Sequence, residues 1–544
     1  MNVAIRQALR QQTRRFTTAL LLTLSLPVWA GPVDDAIRAR LEPLASAQPS
    51  RTPARTARTT LPQAVAEFYA QRQWQPIWDD DRVQSLLAAL ADTYTDGLNP
   101  EDYFVTALQR LPRDNALQND PQTKAERDVL ATHGYLLALE QLYHGKADPR
   151  LLDPHWNFDA RQFDPEHGLA LAREAVEQRD IAGIFTRARP NAPQYDMLRN
   201  ALSHLRAMAQ NGVGWTSLPA GPTLKPGASD VRVPLLRQRL REAELLPPGD
   251  VAQPNVYDPA LVAAVKRFQE ESYLDADGAV GPQTLATLNV PLVQRIDQVR
   301  VNLERARWLL HELQGSFVVV DVAGYRISYV RDGNVVWRSR VQIGKEYRAT
   351  PIFKSTITYI TLSPGWVIPP TILRQDTLPA IRRDSSYLAR NNLHVYNAAG
   401  KELAATDVDW SNPGNISLRQ EPGPTGALGE MAIRFANPYA VYLHDTPYQA
   451  QFNNSQRATS SGCIRVENVH ELAVLLFDDQ AKWNREAMQN VINERKTRNV
   501  TLAKPVPILL AYWTVDVGED GHVAFKPDVY RRDSRVLAAL NATP

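Results

Sequence analysis

The apolar pattern of this chain changes its period near residue 315. Before that point, apolar residues recur at gaps of 3 and 4, as in the stripes that begin at Tyr195 and Ile296. After it, short runs rich in β-branched residues follow one another, first at 317–322 and then at 325–330. The pattern therefore predicts a helical N-terminal part and a β-rich C-terminal part. Since 544 residues exceed the size of one core, we expect an α+β multidomain protein.

The first 30 residues have the layout of an export signal. Residues 1–15 carry only positive charge, residues 16–30 carry none, and small residues precede Gly31. The uncharged stretch is shorter than the about 20 residues that a spanning helix needs, so we expect cleavage, with an uncleaved membrane anchor as the alternative. Without this segment, 57 basic residues face 59 acidic ones, and we expect no nucleic-acid partner.

Segments rich in Pro, Gly and small polar residues divide the remaining chain. The run at 49–60 is too polar to pack, and the run at 212–227 separates two helical regions. We expect a linker at 31–60, a helical scaffold domain at 61–228, a three-helix module at 229–292, a connecting helix at 293–314 and a mostly-β domain at 315–535. Less regular sequence at about 370–435 predicts an insertion in the last of these.

Residues 229–292 combine short helices with tight turns. Apolar helical faces begin at Val233 and Leu261, and a third short helix follows the last turn. Three residue pairs then fall in a characteristic order: Phe268-Gln269, Asp277-Gly278 and Gly281-Pro282. In this order the unit resembles the peptidoglycan-binding module of cell-wall enzymes. The resemblance implies peptidoglycan as a partner, whereas a helical bundle without a ligand is the plainer alternative.

Cys463 is the only cysteine of the chain, so no intramolecular disulfide can form. Its neighbours Ser461 and Gly462 are small, which favours an exposed turn over a buried apolar site. His444 lies nineteen residues upstream at the end of a β-rich run, and an imidazole near a thiol activates a cysteine nucleophile. The spacing alone leaves both a Cys–His pair and an inert cysteine open.

The sequence around this pair resembles the catalytic motif of the L,D-transpeptidases, which have the YkuD-type fold. The motif residues lie at 442–447 and 460–466, with Ser461 where many members have His, as in the large periplasmic YcbB-like group. Five further stretches agree with that group: 68–78, 96–103, 302–308, 365–370 and 528–530. The resemblance implies a periplasmic enzyme that acts on peptidoglycan stems and is acylated by carbapenems.

The resemblance also implies a mechanism. Cys463 would attack the carbonyl of the third residue of a tetrapeptide stem and release terminal D-Ala, with His444 as the base. An amine of a neighbouring stem would then convert the thioester into a 3–3 cross-link. The backbone N–H groups of Gly462 and Cys463 would hold the oxyanion. A main-chain carbonyl, rather than Asp445, would orient the imidazole.

Four further residues are candidates for the substrate site. By the strand period of two, Tyr442 lies on the side of the base and Arg465 on the side of the nucleophile. Tyr442 is a candidate for the oxyanion site or for core packing, and Arg465 for holding a stem carboxylate or bracing the loop. Ser461 and Trp366 complete the set, and Trp366 is equally suited to packing. The insertion at 370–435 looks like the lid of the large members.

One loop departs from the family pattern. Residues 425–426 read Thr-Gly where the family has an Asn before Ala-Leu-Gly, and Arg434-Phe435 replaces the usual Lys-Phe. In the family this loop lies near the donor site, so the departure concerns donor preference.

Other functions stay open at this point. An L,D-carboxypeptidase would use the same nucleophile with water as the acceptor. A non-catalytic scaffold would bind the cell wall with an inert Cys463, and a cysteine protease is disfavoured by the peptidoglycan-binding module. We expect no cofactor and no metal, because the ten His residues are at least eleven positions apart.

Overall fold

The structure is a computed structural model that describes residues 31–45, 60–110, 120–162, 164–212 and 214–543. The predicted export signal and residues 46–59 of the predicted linker lie outside the described residues. Helices come first and the large sheet begins at Phe317, where the apolar pattern changes its period. The predicted α+β fold, with helical domains before a β-rich one, is confirmed.

Helices α1 to α13 precede the first strand in the described ranges. They are α1 Pro32–Ala45, α2 Leu61–Ala70, α3 Asp80–Asp92, α4 Val105–Arg110, α5 Pro121–His144, α6 Pro149–Leu152, α7 Pro165–Glu177, α8 Ile181–Ala188, α9 Pro193–Gln210, α10 Val233–Glu242, α11 Pro259–Glu271, α12 Pro282–Leu288 and α13 Leu292–Leu309. None of the helices in the described part of the chain has the length and apolarity needed to cross a membrane.

Four of these helices start with the same dipeptide. In α5, α6, α7 and α11 an Asp side chain accepts a hydrogen bond from an N–H of the first turn, and Pro follows it directly. The carboxylate pairs a backbone donor that has no partner inside the helix, and Pro has the backbone angle that a first helical residue needs. The Asp-Pro pairs therefore determine where these helices begin: Asp120, Asp148, Asp164 and Asp258.

Residues 32–45, which we expected to be part of a linker, form helix α1 instead. Ile37 and Leu41, four positions apart, are buried, and α1 packs against α2 and α5. The small polar run that indicated a linker starts only at Pro49. The prediction was wrong because it extended that composition back over a short amphipathic helix.

The motif residues of the predicted module hold its turn together. The buried amide of Gln269 donates to the Asp277 carboxylate at 2.9 Å and to the Thr284 hydroxyl at 3.1 Å. Its carbonyl oxygen accepts the Gly278 N–H at 2.8 Å. One buried side chain thus ties the end of α11 to the turn before α12, and a buried polar group without such partners would be costly.

Helix α13 connects the scaffold to the β-rich domain. Asn302 exchanges hydrogen bonds with Thr514 on the β-rich side. On the scaffold side, Glu304 accepts the Ala147 N–H at 2.7 Å, and Arg307 donates to the carbonyl of Asp96 at 2.9 Å. The polar residues of this helix are buried because they face both domains.

The large sheet contains nine strands: β1 Phe317–Asp321, β2 Arg326–Arg331, β3 Asn334–Gly344, β4 Phe353–Leu362, β9 Met431–Phe435, β10 Leu443–His444, β11 Ala458–Ser460, β12 Ile464–Val466 and β13 Arg498–Ala511. Their order in the sheet is β11, β3, β12, β10, β9, β4, β13, β1, β2, and because β2 also pairs with β3, the sheet closes on itself. Two further strands, β14 Val515–Val517 and β15 Val523–Phe525, form a separate hairpin. In the described chain, helices α17 Val469–Phe477 and α18 Arg485–Asn493 follow β12 and pack against strands of the sheet, while α19 Asp533–Asn541 packs against α13.

The insertion is a separate small unit with its own core. It contains strands β5 Trp366–Val367, β6 Leu393–Asn397, β7 Glu402–Leu403 and β8 Ile416–Gln420, and helices α14 Pro370–Ile372, α15 Leu378–Arg383 and α16 Tyr387–Arg390. A π-helical turn, Leu373–Thr377, joins α14 to α15. The predicted end at 435 is wrong, because β9 belongs to the large sheet.

Candidate active site

Strand β10 carries the imidazole into the middle of the large sheet. Its register places His444 beside Arg465 of β12 on one side and Ala432 of β9 on the other. Leu443, the neighbouring residue of β10, is fully buried in the core. Because side chains alternate along a strand, His444 lies on the face opposite that core.

His444 and Arg465 form a first row of side chains on this face. A second row lies on the same face, at the residues two positions earlier, Tyr442 and Cys463. The Ile464 N–H donates to the Tyr442 carbonyl at 3.1 Å, which continues the β10–β12 ladder by one residue. Cys463 therefore lies beside Tyr442, and the β9 register places Arg434 on the other side of Tyr442. We call Cys463, Tyr442 and Arg434 the nucleophile row. The Tyr442 and His444 rings, 5.7 Å apart, connect this row to the imidazole.

The thiol of Cys463 is held in its protonated form. It is half-buried, and it donates to the carbonyl of Ala440 at 3.6 Å. Burial raises the pKa of the thiol, while hydrogen bonds from Tyr442 and the charges of Arg434 and Arg465 act in the opposite direction. The sequence predicted an exposed turn, whereas the Cys463 side chain is half-buried.

The imidazole of His444 is oriented by a main-chain carbonyl. Its Nδ1 lies 2.5 Å from the Asp445 carbonyl oxygen, which can only accept, so we assign the proton to Nδ1 and the lone pair to Nε2. Burial and the charges of Arg465 and Arg434 lower the pKa of His444 to about 3. The resting pair is therefore a neutral thiol and a neutral imidazole that has its lone pair on Nε2.

The Asp445 side chain has a different partner. Its carboxylate accepts the Glu430 N–H at 2.9 Å and the Gln449 amide at 3.1 Å. The carboxylate thus stabilises the chain before β9, and only the backbone of Asp445 touches the imidazole.

The turn before Cys463 depends on a glycine conformation. Gly462 has φ of 116°, a region that other residues avoid. Its N–H donates to the Ser460 hydroxyl at 3.1 Å, and its carbonyl accepts the Thr350 hydroxyl at 2.9 Å. The Tyr530 hydroxyl in turn accepts the Thr350 N–H at 3.1 Å. These contacts fix the backbone that presents the thiol.

Only one of the two expected oxyanion donors is free. The Gly462 N–H is engaged by Ser460, so its expected role does not match the structure. Over the described residues, the Cys463 N–H donates to no atom. The Tyr442 hydroxyl lies beside the thiol, and burial and the Cys463 charge raise the pKa of this phenol. Tyr442 therefore remains a proton donor over the physiological range and is the second oxyanion candidate.

The other three candidate residues occupy different positions. Arg465 donates to Gln342 of β3 at 3.1 Å, which favours bracing of the loop. Ser461 accepts the Arg348 guanidinium at 3.0 Å. Arg348 also forms an ion pair with Asp376 of the insertion. Trp366 packs against the core of the insertion, as the packing alternative proposed.

Three residues that shape the site were missed in the sequence: Ala440, Asn437 and Thr350. Ala440, whose carbonyl holds the thiol, has φ of 54°, which is unusual for a residue with a side chain. Asn437 imposes this bend, since its amide donates to the Val441 carbonyl at 2.8 Å and accepts the Val441 N–H at 3.0 Å. An Asn followed by Pro is a turn signal that could have indicated the bend. Thr350 carries no comparable signal.

Three family models match the chain in the order of its domains. A scaffold domain matches residues 63–202, a "Putative peptidoglycan binding domain" matches residues 229–288, and the L,D-transpeptidase catalytic domain matches residues 315–480. Both Cys463 and His444 lie inside the catalytic match. The chain thus contains an L,D-transpeptidase catalytic domain, as its motifs indicated, together with a peptidoglycan-binding domain and a scaffold domain.

A curated protein of Haemophilus influenzae, named "Putative L,D-transpeptidase", is 31% identical over 248 residues. The alignment covers 45% of this chain and 50% of the relative. The chain thus spans half the length of the curated relative that it matches.

Two solved structures of L,D-transpeptidases overlap part of the chain. One, from Xylanimonas cellulosilytica, is 17% identical and covers 54% of this chain and 99% of its own, with a TM-score of 0.18. The other, from Mycobacterium smegmatis, is 15% identical and covers 36% of this chain and 59% of its own, also with a TM-score of 0.18. Overlaps of this size add nothing to the domain assignment.

Proposed function

We propose that this protein is an L,D-transpeptidase that forms 3–3 peptidoglycan cross-links through a thioester on Cys463. The observation that supports the proposal most is the pair of adjacent rows on one sheet face. These rows bring a thiol, a carbonyl-oriented imidazole and a tyrosine hydroxyl together within the matched domain. We further propose that it works outside the cytoplasm, in the periplasm, with its peptidoglycan-binding module holding the substrate.

In the acylation step, the thiol leaves the Ala440 carbonyl and gives its proton to Nε2 of His444. The sulfur attacks the carbonyl carbon of the third stem residue, and the Cys463 N–H and Tyr442 hydroxyl receive the oxyanion. Each such donor contributes about 3 kcal/mol to the transition state. The imidazolium then protonates the leaving nitrogen, the amide bond breaks, and D-Ala departs from the thioester.

In the transfer step, the amine of a second stem attacks the thioester carbonyl. His444 takes a proton from that amine, the carbon–sulfur bond breaks, and the sulfur recovers a proton from the imidazolium. The product is an amide between two third residues, and the enzyme returns to its neutral pair. With water in place of the amine, the same steps describe an L,D-carboxypeptidase.

The proposal is tested with residues 31–544 and tetrapeptide muropeptides, the wild type beside Cys463→Ala. We expect dimers that are lighter by one Ala than two joined tetrapeptides, released D-Ala, and neither product with the variant. Monomers that lack Ala, without dimers, would instead identify a carboxypeptidase. If the folded wild type only binds the muropeptides, the catalytic proposal is wrong and the scaffold function is left.

A further inference from the structure

Arg434 contributes a guanidinium to the nucleophile row, and the proposed reaction gives it no role. Arg434 stacks on the Tyr442 ring, with its guanidinium carbon 4.0 Å from the ring centroid. Across the described chain, no carboxylate forms an ion pair with Arg434, although its side chain is half-buried. Two other arginines of the β-rich domain do have acidic partners, Arg340 with Glu467 and Arg348 with Asp376.

A half-buried cation without a counterion is unfavourable in the free protein, because it loses hydration without gaining an ion pair. Stacking on Tyr442 compensates through the ring, and Arg434 also forms a hydrogen bond with the Tyr442 hydroxyl, while its remaining N–H edges have no partner among the described residues. Those edges form a planar fork whose geometry matches a carboxylate with two parallel hydrogen bonds. Arg434 therefore provides the donors of a carboxylate-binding site, and the described residues supply no anion for them.

The position of this fork relates it to the thiol. Tyr442 directly precedes β10 and lies beside Cys463 in the continued ladder, so the two residues are about 5 Å apart, one strand spacing. Arg434 covers that ring, and its charge acts on both the Cys463 thiol and the His444 imidazole. A substrate carbonyl in front of the sulfur would thus lie on the sheet face that also carries the cation.

We propose that Arg434 is a carboxylate-binding residue that holds the donor stem beside Cys463. This inference rests on the proposed function, since the donor is the molecule that carries the anion. A tetrapeptide donor has a terminal carboxylate one residue beyond the attacked carbonyl. Where its third residue is a diamino diacid, it has a second carboxylate on that side chain. Arg465 is less suited, because its guanidinium donates to Gln342 and to Gln451.

The first test uses the fact that the chain has one cysteine. Cys463 is alkylated in the full chain with neutral iodoacetamide and with anionic iodoacetate. We expect Arg434→Met to lower the iodoacetate-to-iodoacetamide rate ratio roughly tenfold, the effect of losing one charge-assisted contact. Arg419→Met is the matched control, because Arg419 stacks on the Tyr396 ring at 4.2 Å in the insertion, and it should leave the ratio unchanged.

The second test compares three donor tetrapeptides: one with all carboxylates free, one amidated at the terminus, and one amidated at the side chain of the third residue. For the free donor, Arg434→Met should lower kcat/KM for leaving-group release roughly 10- to 100-fold, mainly through KM. For the donor that lacks the recognised carboxylate, the same substitution should change kcat/KM for leaving-group release less than about twofold. The amidated donor on which Arg434→Met has little effect identifies the carboxylate that Arg434 binds. Arg434→Lys should retain part of the preference for the free donor.

Two results would overturn the assignment. One is an unchanged alkylation ratio in Arg434→Met. The other is an equal loss with all three donors, which would show that Arg434 acts only through Tyr442. A wild type that releases no leaving group from any donor would refute the transpeptidase proposal as well, so the two failures are distinguishable.

Discussion

Burial acts on the two proton sites of the candidate active site in opposite directions. It raises the pKa of the Cys463 thiol and lowers that of His444 to about 3. A preformed thiolate–imidazolium pair would need the reverse order. Nucleophile activation therefore has to accompany substrate entry, when the sulfur leaves the Ala440 carbonyl and Nε2 receives the proton.

We predict that acylation has no acidic limb near pH 6.5. His444 works as a base in its neutral form, which persists until the pH approaches its pKa of about 3. Single-turnover release of D-Ala should thus stay constant from about pH 5 to about pH 7.5, although an unperturbed imidazole would titrate there. The measurement is the rate of release from the free-acid donor across that range.

Substitution of the base provides the control for this profile. His444→Gln should lower the acylation rate about 10²- to 10⁴-fold, the usual contribution of a general base. Alkylation of Cys463 by iodoacetamide should still increase with pH beyond pH 8, because the thiol pKa is raised. A half-maximal acylation rate near pH 6.5 in the wild type would contradict the neutral pair.

Cys463 and His444 could be proposed as nucleophile and base from the sequence, because a lone Cys after Gly and a His at a strand end are local signals. The Ala440 carbonyl that holds the thiol could not be predicted from the sequence. It depends on Ala440 at φ of 54°, and that angle follows from the Asn437 hydrogen bonds rather than from Ala itself. Likewise, the Ser460 hydroxyl that occupies the Gly462 N–H is visible only in the folded turn.

The end of β3 supports the turn that presents the thiol. The Gly344 N–H donates to the Thr350 hydroxyl at 2.9 Å, and its carbonyl accepts the Tyr530 hydroxyl at 2.7 Å. A Cβ at Gly344 would overlap the Arg348 carbonyl and lie 3.0 Å from the Gly462 Cα. Strand β3 therefore needs a residue without a side chain where it meets the nucleophile turn.

We predict that Gly344→Ala lowers kcat for D-Ala release at least about tenfold, because a shift of the turn moves the sulfur. The overlap should also destabilise the domain by about 1–3 kcal/mol. Gly214→Ala is the matched control, since no atom lies within 4 Å of a Cβ at that position, and it should change neither quantity. The measurements are kcat for D-Ala release and thermal unfolding of both variants. If Gly344→Ala changed neither quantity, the turn would tolerate the displacement and the prediction would be wrong.

Strand pairing marks the limit of what the sequence predicts about the elements. The period of two correctly predicted that Tyr442 shares a side with His444. It could not predict that β10 lies between β9 and β12, because β10 has two residues and its parallel partner is reached only after a long excursion. The row of Cys463, Tyr442 and Arg434 follows from that long-range pairing.

Helix α13 determines how the scaffold and the β-rich domain are held together. Its Glu304 and Arg307 side chains are fully buried and form an ion pair at 2.5 Å. Arg307 also donates to the Tyr195 hydroxyl at 2.8 Å, and Glu304 accepts the Ala147 N–H. Since both charges lie between two domains, the pair links the stability of the scaffold to that of the catalytic unit.

We predict that Arg307→Met lowers the free energy of unfolding by about 3–5 kcal/mol, because it leaves the Glu304 carboxylate buried without its partner. Adding Glu304→Gln should recover part of this loss, because the neutral amide no longer needs a cation. Calorimetric unfolding of the two single variants and the double variant measures the coupling. The exposed pair of Arg38 and Glu42 is the control, and Arg38→Ala should leave the free energy of unfolding nearly unchanged. If Arg307→Met cost no more than this control, α13 would not join the domains through its buried charges, and the interface would depend on apolar packing alone.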